Sequence, residues 1–482
     1  MLALAAALTA GANVALTTIS TDPYRNVGSQ HATEVEPDSF SAASTIVTAV
    51  QVGRYYNGGS SNIGWGRSAN GGTTWTHGFL PGLTVNSSPP GSYSRASDPS
   101  VAYDAKHNVW MVNSLALVGQ NTVSGAAAVV NRSTDGGATW GNPVTVHAAS
   151  GGEDLDKNWI VCDDTAASPF YGNCYVEFDD AGNGNLLEMY RSSDGGLTWT
   201  ASVVPPASVI GGQPLVQPSG HVVMPIDDGN EGSVESFVSV DGGATYTGPF
   251  AVAGISSHRE SGNLRSGPLP SAEIDGAGTV YVVWDDCRFR TNCSTNDIVM
   301  STSTDGVQWS PVTRIPIGTT TDGHDNFLPG LAVDKATSGS TAHVGLVYYF
   351  YTQSNCTLFS CQLDVGFVSS QNGGASWGAP IQLVGPMSLR WLPNTNQGRM
   401  VGDYMSASFA AGKAHGVFAV ATLPTGTVSR DCASASPNCH QALETNAAGL
   451  TLPAGGEVPA GGDRVAVAPG SSPFSPAPAT AR

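Results

Sequence analysis

The residues of this chain that could do chemistry are arginines, carboxylates and aromatic rings placed at the ends of short apolar stretches. Arg95 stands three residues before Asp98, and Arg399 is followed closely by Asp403 and Tyr404. Arginine binds a carboxylate through paired hydrogen bonds, and a nearby carboxyl group can transfer a proton. Lysine and arginine together number only 20 in 482 residues, so their concentration at such positions indicates a site for an anionic ligand.

Six near-copies of one short stretch suggest how the chain could position these residues. They occur at 68–75 (SANGGTTW), 132–140 (RSTDGGATW), 191–199 (RSSDGGLTW), 239–246 (SVDGGATY), 303–309 (STDGVQW) and 370–377 (SQNGGASW). Each stands between two apolar stretches, and its glycines supply the positive φ of a tight turn between strands. We expect the acidic or amide side chain to accept hydrogen bonds from turn amides. The residues with this structural role are Asn70, Asp135, Asp194, Asp241, Asp305 and Asn372.

A second repeat, made of two apolar stretches joined by a turn, fills the intervals between these turns. Its seven copies are 36–52, 98–112, 156–178, 212–226, 268–284, 328–349 and 398–420. Their spacing fits the four-stranded blades of a β-propeller. We therefore predict an all-β propeller of antiparallel blades, seven in number with six as the alternative. The N-terminal strand at 12–20 is expected to complete the last blade and close the ring.

In such a propeller, the beginnings of the innermost strands and the ends of the next strands surround a central channel at one face. The sequence thus predicts a pocket at that face. The residues assigned to substrate binding are Arg54, Arg95, Arg265, Arg288, Arg399, Trp159 and Asp403, and those assigned to catalysis are Asp98, Glu177 and Tyr404. Glu36, Lys157 and Gln213 belong to the same ring without an assigned role.

Each of these residues also has a structural interpretation. Asp98 could accept hydrogen bonds at the start of a strand, and Tyr404 could be a phenol lining the channel. Trp159 could be ordinary packing rather than a platform for a sugar ring. Arg399 could already be paired with an acidic side chain, and Arg288 could belong to a loop closed by a disulfide.

Charge and composition limit the classes of partner. The net charge of −18 argues against nucleic acid, because binding to phosphates needs a basic surface. Two acidic stretches, EDLD at 153–156 and DDGNEG at 227–232, are rich in the oxygen ligands that calcium prefers, but neither matches a defined calcium loop. We therefore expect no cofactor, with a structural calcium ion as the alternative, and a monomeric protein.

Eight cysteines fall into four close pairs. These are Cys162 with Cys174, Cys287 with Cys293, Cys356 with Cys361, and Cys432 with Cys439. No pair has companion histidines at the spacing of a zinc site. Four local disulfides formed in an oxidising compartment are the favoured interpretation, and free thiols are the alternative.

The chain ends predict a secreted, single-domain protein. Residues 1–11 resemble the apolar part of a signal peptide, and no stretch is long and apolar enough for a transmembrane helix. Residues 12–450 form the predicted propeller. Residues 451–482 are rich in Pro, Ala and Gly, which is typical of a disordered tail.

The six turn motifs resemble the Asp boxes of the bacterial neuraminidase repeat, and the resemblance to the sialidase-like superfamily extends over roughly residues 12–446. This resemblance implies a β-propeller. The superfamily includes sialidases, other glycosidases, lyases and non-catalytic binding proteins, so the fold does not by itself select a reaction.

The resemblance also implies roles for particular residues if the protein is a sialidase-like exo-glycosidase. Tyr404 would be the nucleophile, with Glu177 or Glu260 as its partner, and Asp98 would be the acid and base. Three arginines would hold the substrate carboxylate. Candidates for these are Arg54 or Arg95, Arg265 or Arg288, and Arg399.

Two departures from the sialidase pattern keep other functions open. No F/Y-R-I-P motif precedes the first turn motif, and seven blades would be one more than a sialidase has. A lyase acting on uronate-containing glycans would use arginines to neutralise the uronate and a His or Tyr as base. A propeller that binds glycans or proteins without catalysis is the third possibility.

Overall fold

The computed structural model describes residues 11–12, 14–424, 431–432, 439–452 and 458–459. These residues form an all-β propeller, as the sequence predicts. Between the strands lie short 3-10 turns at Ala181–Asn183, Ser261–Asn263, Thr291–Cys293, Gly339–Thr341 and Leu389–Trp391. Within the described part of the chain, no helix is long and apolar enough to cross a membrane.

Two short strands are followed by a sheet of eight strands. The short strands are β1 (Gly11–Ala12) and β2 (Leu16–Ser20), and the sheet contains β3 (Glu34–Ala42), β4 (Thr45–Arg54), β5 (Ser60–Ser68), β6 (Thr76–Phe79), β7 (Arg95–Asp104), β8 (Val109–Val118), β9 (Ser124–Ser133) and β10 (Val144–Ala148). All of its neighbouring strands are antiparallel. One residue pair, Ser60 with Ala96, joins the half made of β3–β6 to the half made of β7–β10.

Five further sheets contain four or five strands each. The first consists of β11 (Leu155–Cys162), β12 (Cys174–Asp180), β13 (Leu186–Ser192) and β14 (Thr200–Ala201). The second consists of β15 (Val209–Ile210), β16 (Leu215–Val216), β17 (Val222–Asp228), β18 (Ser233–Ser239) and β19 (Thr247–Gly254). The third consists of β20 (Ser271–Ile274), β21 (Val280–Asp286), β22 (Asp297–Ser303) and β23 (Thr313–Arg314). Each is an antiparallel sheet whose long strands are neighbours in both sequence and space.

The last two of these five sheets include strands from the start of the chain. The first contains β24 (Asp325–Val333), β25 (Val344–Tyr351), β26 (Gln362–Ser370) and β28 (Ile381–Ser388) with β1, and the second contains β31 (Ser406–Ala410), β32 (Lys413–Ala421) and β33 (Gln441–Asn446) with β2. Two small pairs are β27 (Ser376–Trp377) with β34 (Val458–Pro459) and β29 (Asn394–Thr395) with β30 (Gly398–Arg399).

The N-terminal strand expected at 12–20 is divided between two sheets. Ala12 pairs with Val384 in β28, whereas Leu16 pairs with Asn446 in β33. The predicted disordered tail also contains a described exception, because β34 at 458–459 pairs with β27. The rest of that tail beyond residue 452, and residues 1–10 of the expected leader, lie outside the described residues.

The core lies between the faces of neighbouring sheets. Met111 and Val130 from the eight-stranded sheet, for example, pack in one cluster with Ile160 and Phe178 from the next sheet. The second strand of each sheet is covered on both faces, so it appears in the sequence as a nearly continuous apolar stretch rather than an alternating one. Burial of these faces holds the sheets side by side.

Hydrogen bonds between neighbouring innermost strands tie the sheets together around the channel. Asp38 in β3 accepts the amide of Val101 in β7 at 2.7 Å, and Ser271 in β20 accepts the amide of Leu331 in β24 at 3.1 Å. Ser406 in β31 accepts the amide of Ser39 at 3.0 Å. The side chain in each case satisfies an amide that the neighbouring sheet leaves unpaired, so the innermost strands are fixed relative to one another.

The six repeated turns share one hydrogen-bond pattern. In the second of them, the Ser133 hydroxyl accepts the amide of Gly137 at 2.9 Å and donates to Asp135 Oδ1 at 2.8 Å, which also accepts the amide of Thr139 at 2.9 Å. Gly137 has a φ of 83°, which only glycine adopts without strain. Asn70 and Asn372 accept the corresponding amides, so an amide side chain can replace the carboxylate as the hydrogen-bond acceptor of the turn.

All four expected cysteine pairs are disulfides in the structure. The first, Cys162–Cys174, links the paired ends of β11 and β12. The second and third close short loops of 6 and 5 residues in sequence separation. The described residues contain no free cysteine.

We predict that Asp135→Ala lowers the free energy of unfolding by about 1 kcal/mol, because the turn loses the acceptor of the Thr139 amide. Asp135→Asn should retain most of the stability at pH 7, since Asn70 and Asn372 make the same bond. Guanidinium unfolding of the two variants measures the difference. An equal loss in both would show that charge, rather than acceptance of the amide, stabilises the turn.

Candidate functional site

The innermost strands enter the channel through a break in strand register that turns particular side chains inward. The register of β3 shifts between Val35 and Asp38, that of β7 between Ser97 and Ser100, and that of β11 between Asp156 and Trp159. A β-bulge of this kind re-aims a side chain and is common next to binding sites.

The residue inside each of these three bulges has a positive φ. The values are 55° for Glu36, 48° for Asp98 and 51° for Lys157. A residue with a Cβ pays a strain energy of about 1 kcal/mol or more for this conformation, and such strain tends to persist at functional positions. A fourth bulge of the same form, between Phe327 and Gly330, holds Leu328 at a φ of 50°. The bulge is therefore a repeated feature of innermost strands, and the three that carry ionisable side chains indicate the region of the candidate site.

A buried ion cluster centred on Asp403 lies in this region. Lys157 Nζ is 2.5 Å from Asp403 Oδ2, and Arg265 Nε is 2.6 Å from Oδ1, while Arg265 Nη2 also bonds Oδ2. The side chains of Lys157, Arg265 and Asp403 are 7%, 15% and 10% exposed. Burial alone would raise the pKa of Asp403, but the two cations hold it well below its usual range.

Glu36 lies behind the ion cluster. Its Oε1 accepts the amide of Asp403 at 3.2 Å, and its Oε2 has no hydrogen-bond partner in the described part of the chain. Burial, followed by the negative charges of Asp403 and Asp98, raises the pKa of Glu36 to about 8. Glu36 is therefore mostly uncharged at neutral pH.

Arg54 adds a third cation. It donates to the carbonyl of Gly59 at 2.7 Å and to Met400 Sδ at 3.2 Å, and none of the described carboxylates forms an ion pair with it. Burial, and then the nearby charge of Arg265, lowers the pKa of Arg54 to about 10. Two like charges that repel each other in a buried place would both be stabilised by an anion bound between them.

A cavity that holds about 310 Å³ of space, open solvent included, adjoins the cluster. It is lined by Asp98, Lys157, Asn158, Trp159, Gly211, Gly212, Gln213, Leu269, Pro270 and Tyr404. Gly212 keeps the wall thin, since a Cβ there would lie 2.8 Å from Ile226 Cδ1 and 3.0 Å from Glu177 Cδ.

The cavity combines a carboxyl group with two aromatic rings. Asp98 Oδ1 accepts a hydrogen bond from the Ser97 hydroxyl at 2.5 Å, while its Oδ2 is buried and has no partner among the described residues. The rings of Trp159 and Tyr404 meet edge to face with centroids 5.2 Å apart. Such rings can pack against the C–H face of a sugar while the carboxyl group transfers a proton.

The Tyr404 hydroxyl donates to the carbonyl of Pro99 at 3.0 Å. Burial, and then the charges of Glu36, Asp98, Asp38 and Asp403, raise the pKa of Tyr404 well above its usual value. The phenol is thus uncharged at neutral pH. It has no hydrogen bond to Glu177, the carboxyl group assigned to it from the sequence.

The structure therefore brings together six of the sequence-predicted residues, which are Asp98, Trp159, Tyr404, Asp403, Arg265 and Arg54. Glu177 is fully buried behind Gly212 rather than beside Tyr404. The assignment of Glu177 as the partner of the Tyr404 phenol is wrong on this geometry.

Three predicted arginines are bound by other groups of the protein instead of facing the cavity. Arg95 donates to Asn57 and to two carbonyls, and its guanidinium lies 3.9 Å from the Tyr55 ring centroid. Arg288 is paired with Asp286, and Arg399 with Asp431. The position of an arginine in the repeat could not show whether it binds a ligand or a group of the protein, and these three arginines bind groups of the protein.

The residues without an assigned role that prove central are Lys157 and Glu36. Both lie near the start of an innermost strand, as Asp98 does, and both carry the positive φ of a bulge. The sequence signal that could have identified them is their matching place in the repeat, which is clearest where Glu36-Pro37 corresponds to Asp98-Pro99. Gln213, by contrast, lines the cavity but uses its Oε1 to accept the Ala272 amide at 2.7 Å.

The acidic loops considered for calcium are engaged in backbone hydrogen bonds. Asp228 Oδ1 accepts the amides of Asn230 and Gly232 at 2.8 and 3.0 Å, and Asp154 Oδ1 accepts that of Gly125 at 2.6 Å. Among the residues that the structure describes, no group of three His, Cys, Asp or Glu could hold a metal ion.

No family model and no curated protein matches the chain. Among solved structures, it resembles the Hadza microbial sialidase Hz136 (19% identity, 65% of this chain and 63% of that chain, TM-score 0.45) and a protein of unknown function from Dyadobacter fermentans (17%, 74% and 99%, 0.47). It also resembles a leech intramolecular trans-sialidase (14% identity, 70% of this chain and 67% of that chain, TM-score 0.46). The match spans 63% of the first of these proteins. The function therefore has to be argued from this chain's own side chains.

We predict that Asp403→Ala destabilises the fold by about 3–5 kcal/mol, because Lys157 and Arg265 are left buried without their carboxylate. Asp334→Asn, which removes a half-buried carboxylate 3.8 Å from His343, is the control and should cost at most about 1 kcal/mol. Denaturant unfolding compares them. A loss as small as the control's would mean that the two cations find other partners.

Proposed function

We propose that this protein is a secreted glycoside hydrolase that removes a terminal acidic sugar, sialic acid or a relative, from a glycan. The observation that carries the proposal is the balance of charge beside the cavity. Lys157, Arg265 and Arg54 face the carboxylates Asp403 and Asp98 and an uncharged Glu36. A carboxylate on the substrate would neutralise the remaining positive charge.

The catalytic part of the proposal rests on Asp98 and Tyr404, which line the same cavity. Asp98 takes the proton of the Tyr404 phenol and passes it to the oxygen of the leaving group; when water later displaces the tyrosine oxygen, Asp98 returns a proton of that water to it. Tyr404 attacks the anomeric carbon, as in the retaining mechanism of sialidase-like enzymes, after its hydroxyl leaves the carbonyl of Pro99. Asp98 also lies among the carboxyl groups that act on the phenol.

The lyase and the binding protein remain alternatives. The described lining of the cavity contains no histidine, so a lyase would depend on Tyr404 as its base. A protein that only binds glycans would use Trp159 and the cations without needing Asp98 to change protonation. Both differ from the hydrolase in their products.

We also propose that the propeller has seven blades and that the N-terminal strand closes the ring. Counting the eight-stranded sheet as two blades supports this, since one residue pair joins its halves. The pairing of β2 with β33 supports closure. Secretion is supported by the four disulfides, which persist in oxidising compartments.

We predict that purified protein releases reducing sugar from a panel of sialylated and uronate-containing glycans, and that Asp98→Asn and Tyr404→Phe each lower kcat about 100-fold or more. Arg288→Lys, which changes an arginine already paired with Asp286, is the matched control and should keep full activity. An unsaturated product with ultraviolet absorbance would establish the lyase. Tight binding without turnover, unaffected by Asp98→Asn, would establish the binding protein.

The charge of Glu36 should also control binding. Because burial raises its pKa to about 8, Glu36 becomes charged above that pH and weakens the attraction for an anionic sugar. We expect KM to rise above about pH 8 in the wild type and to stay flat in Glu36→Gln. A KM that rises equally in both proteins would exclude Glu36 as the group responsible.

A further inference from the structure

A row of buried carboxyl groups runs along the second strands of three successive sheets. It consists of Glu177 and Asp179 in β12, Asp227 in β17 and Asp285 in β21, and we call it the carboxyl row. None of the four residues is more than 2% exposed. No part of the proposed reaction uses them.

These carboxyl groups lack the donors that a buried carboxylate needs. Both side-chain oxygens of Glu177, Asp179 and Asp227, and Oδ1 of Asp285, have no hydrogen-bond partner meeting ordinary geometry among the described residues. The amide of Gly212 approaches Glu177, and it is the one favourable contact that acts on this group. A charge buried in this way costs several kcal/mol, whereas an uncharged carboxylic acid costs far less.

The charged groups that face the row are mostly negative. Asp179 is close to Glu177, Asp98 and Asp180, and to the single cation Lys157, which Asp403 already neutralises. The neighbours of Asp227 are Glu231, Asp228 and Asp285, and those of Asp285 are Glu260, Asp325 and Asp286. Lys157 therefore offsets part of the charge on Asp179, whereas the charged neighbours named for Asp227 and Asp285 are all acidic.

Other features of the chain agree with buried carboxyl groups that are uncharged in the native fold. Glu34 and Asp38 are also buried, and burial raises their pKa values to about 8 and about 7. Charged residues make up only 12% of the sequence, about half the usual share of about 25%. A surface with few charges suffers little self-repulsion when its carboxylates are protonated.

We propose that this protein is adapted to an acidic medium: the carboxyl row is uncharged in the native fold, and rising pH destabilises the fold by charging it. The stability of this protein then declines from about pH 5 toward alkaline pH. This holds whether or not the cavity hydrolyses a glycan, because it depends on groups outside the cavity.

The direction follows from where the protons are bound. In the unfolded chain these carboxyl groups have pKa values near 4, whereas burial raises the pKa of each in the native state. Between these values the native state binds more protons than the unfolded state, so the contribution of these groups to stability is fully present below about pH 4 and is lost as pH rises through the native pKa. For Asp38 and Glu34, whose native pKa values are about 7 and about 8, this loss lies between about pH 4 and pH 8, and the carboxyl row acts in the same direction.

The first experiment is guanidinium unfolding of the full disulfide-bonded chain at several pH values from 4 to 9. The unfolding midpoint should fall steadily from about pH 5 to about pH 8, with an equilibrium constant for unfolding that rises on the order of tenfold per pH unit for each carboxyl group that titrates. A midpoint that is flat or rises over this interval would overturn the proposal.

The second experiment uses Asp227→Asn and Glu177→Gln, which keep the shape and remove the charge. Each should match the wild type near pH 5 and lose less stability by pH 8. The control is Asp135→Asn, which removes an exposed carboxylate whose pKa hydrogen bonds from Thr139 hold at about 2, and its decline should parallel the wild type. If the stability of both row variants declines with pH as steeply as that of the control, the carboxyl row is not the cause of the decline. If one row variant fails to fold, the other variant and the wild-type pH profile still test the proposal.

A third arm tests whether the row instead binds a cation. The unfolding midpoint at pH 8 is measured with calcium and with EDTA. Equal midpoints are expected. A rise with calcium that restores the acid value, and that Asp227→Asn abolishes, would show that the row is a metal site and would overturn the proposal.

Discussion

The carboxylate of Asp403 is the point on which the arrangement of the channel depends. It accepts hydrogen bonds from Lys157 and Arg265, which come from two distant segments of the chain, and the backbone amide of Asp403 donates to Glu36. Each cation is almost fully buried, so neither has water as an alternative partner. The bulges that give Glu36, Asp98 and Lys157 a positive φ persist because this cluster, together with the hydrogen bonds between innermost strands, rewards the strained conformation.

The architecture could be predicted because it depends on local chemistry that repeats. Glycines at the positive-φ positions, a serine two residues before Asp or Asn, and flanking apolar strands identify each turn without knowledge of the rest of the chain. The side chains at strand starts could then be assigned to the channel, which placed Asp98, Trp159 and Tyr404 correctly in one cavity. The N-terminal strand was harder, because its division between two sheets depends on long-range pairing.

The individual partners of the charged side chains could not be predicted. Position in a repeat shows that an arginine lies near the channel, but not whether a protein acceptor already binds it. Arg399 is paired with Asp431, a residue of a late loop that belongs to no repeat, and Arg288 is paired with Asp286 two residues away. Glu177 was expected at a strand end but lies in the middle of β12, where it packs against Gly212. Whether a site residue binds ligand or protein is decided by tertiary contacts.

The ion cluster also has a consequence for how the protein is made. Lys157 and Asp403 are separated by 246 residues and Arg265 and Asp403 by 138, so the cations leave the ribosome long before the carboxylate that neutralises them. Burying either cation early would be costly, which keeps this side of the channel hydrated until the last part of the chain arrives. The cluster can therefore be completed only after residue 403 has been synthesised.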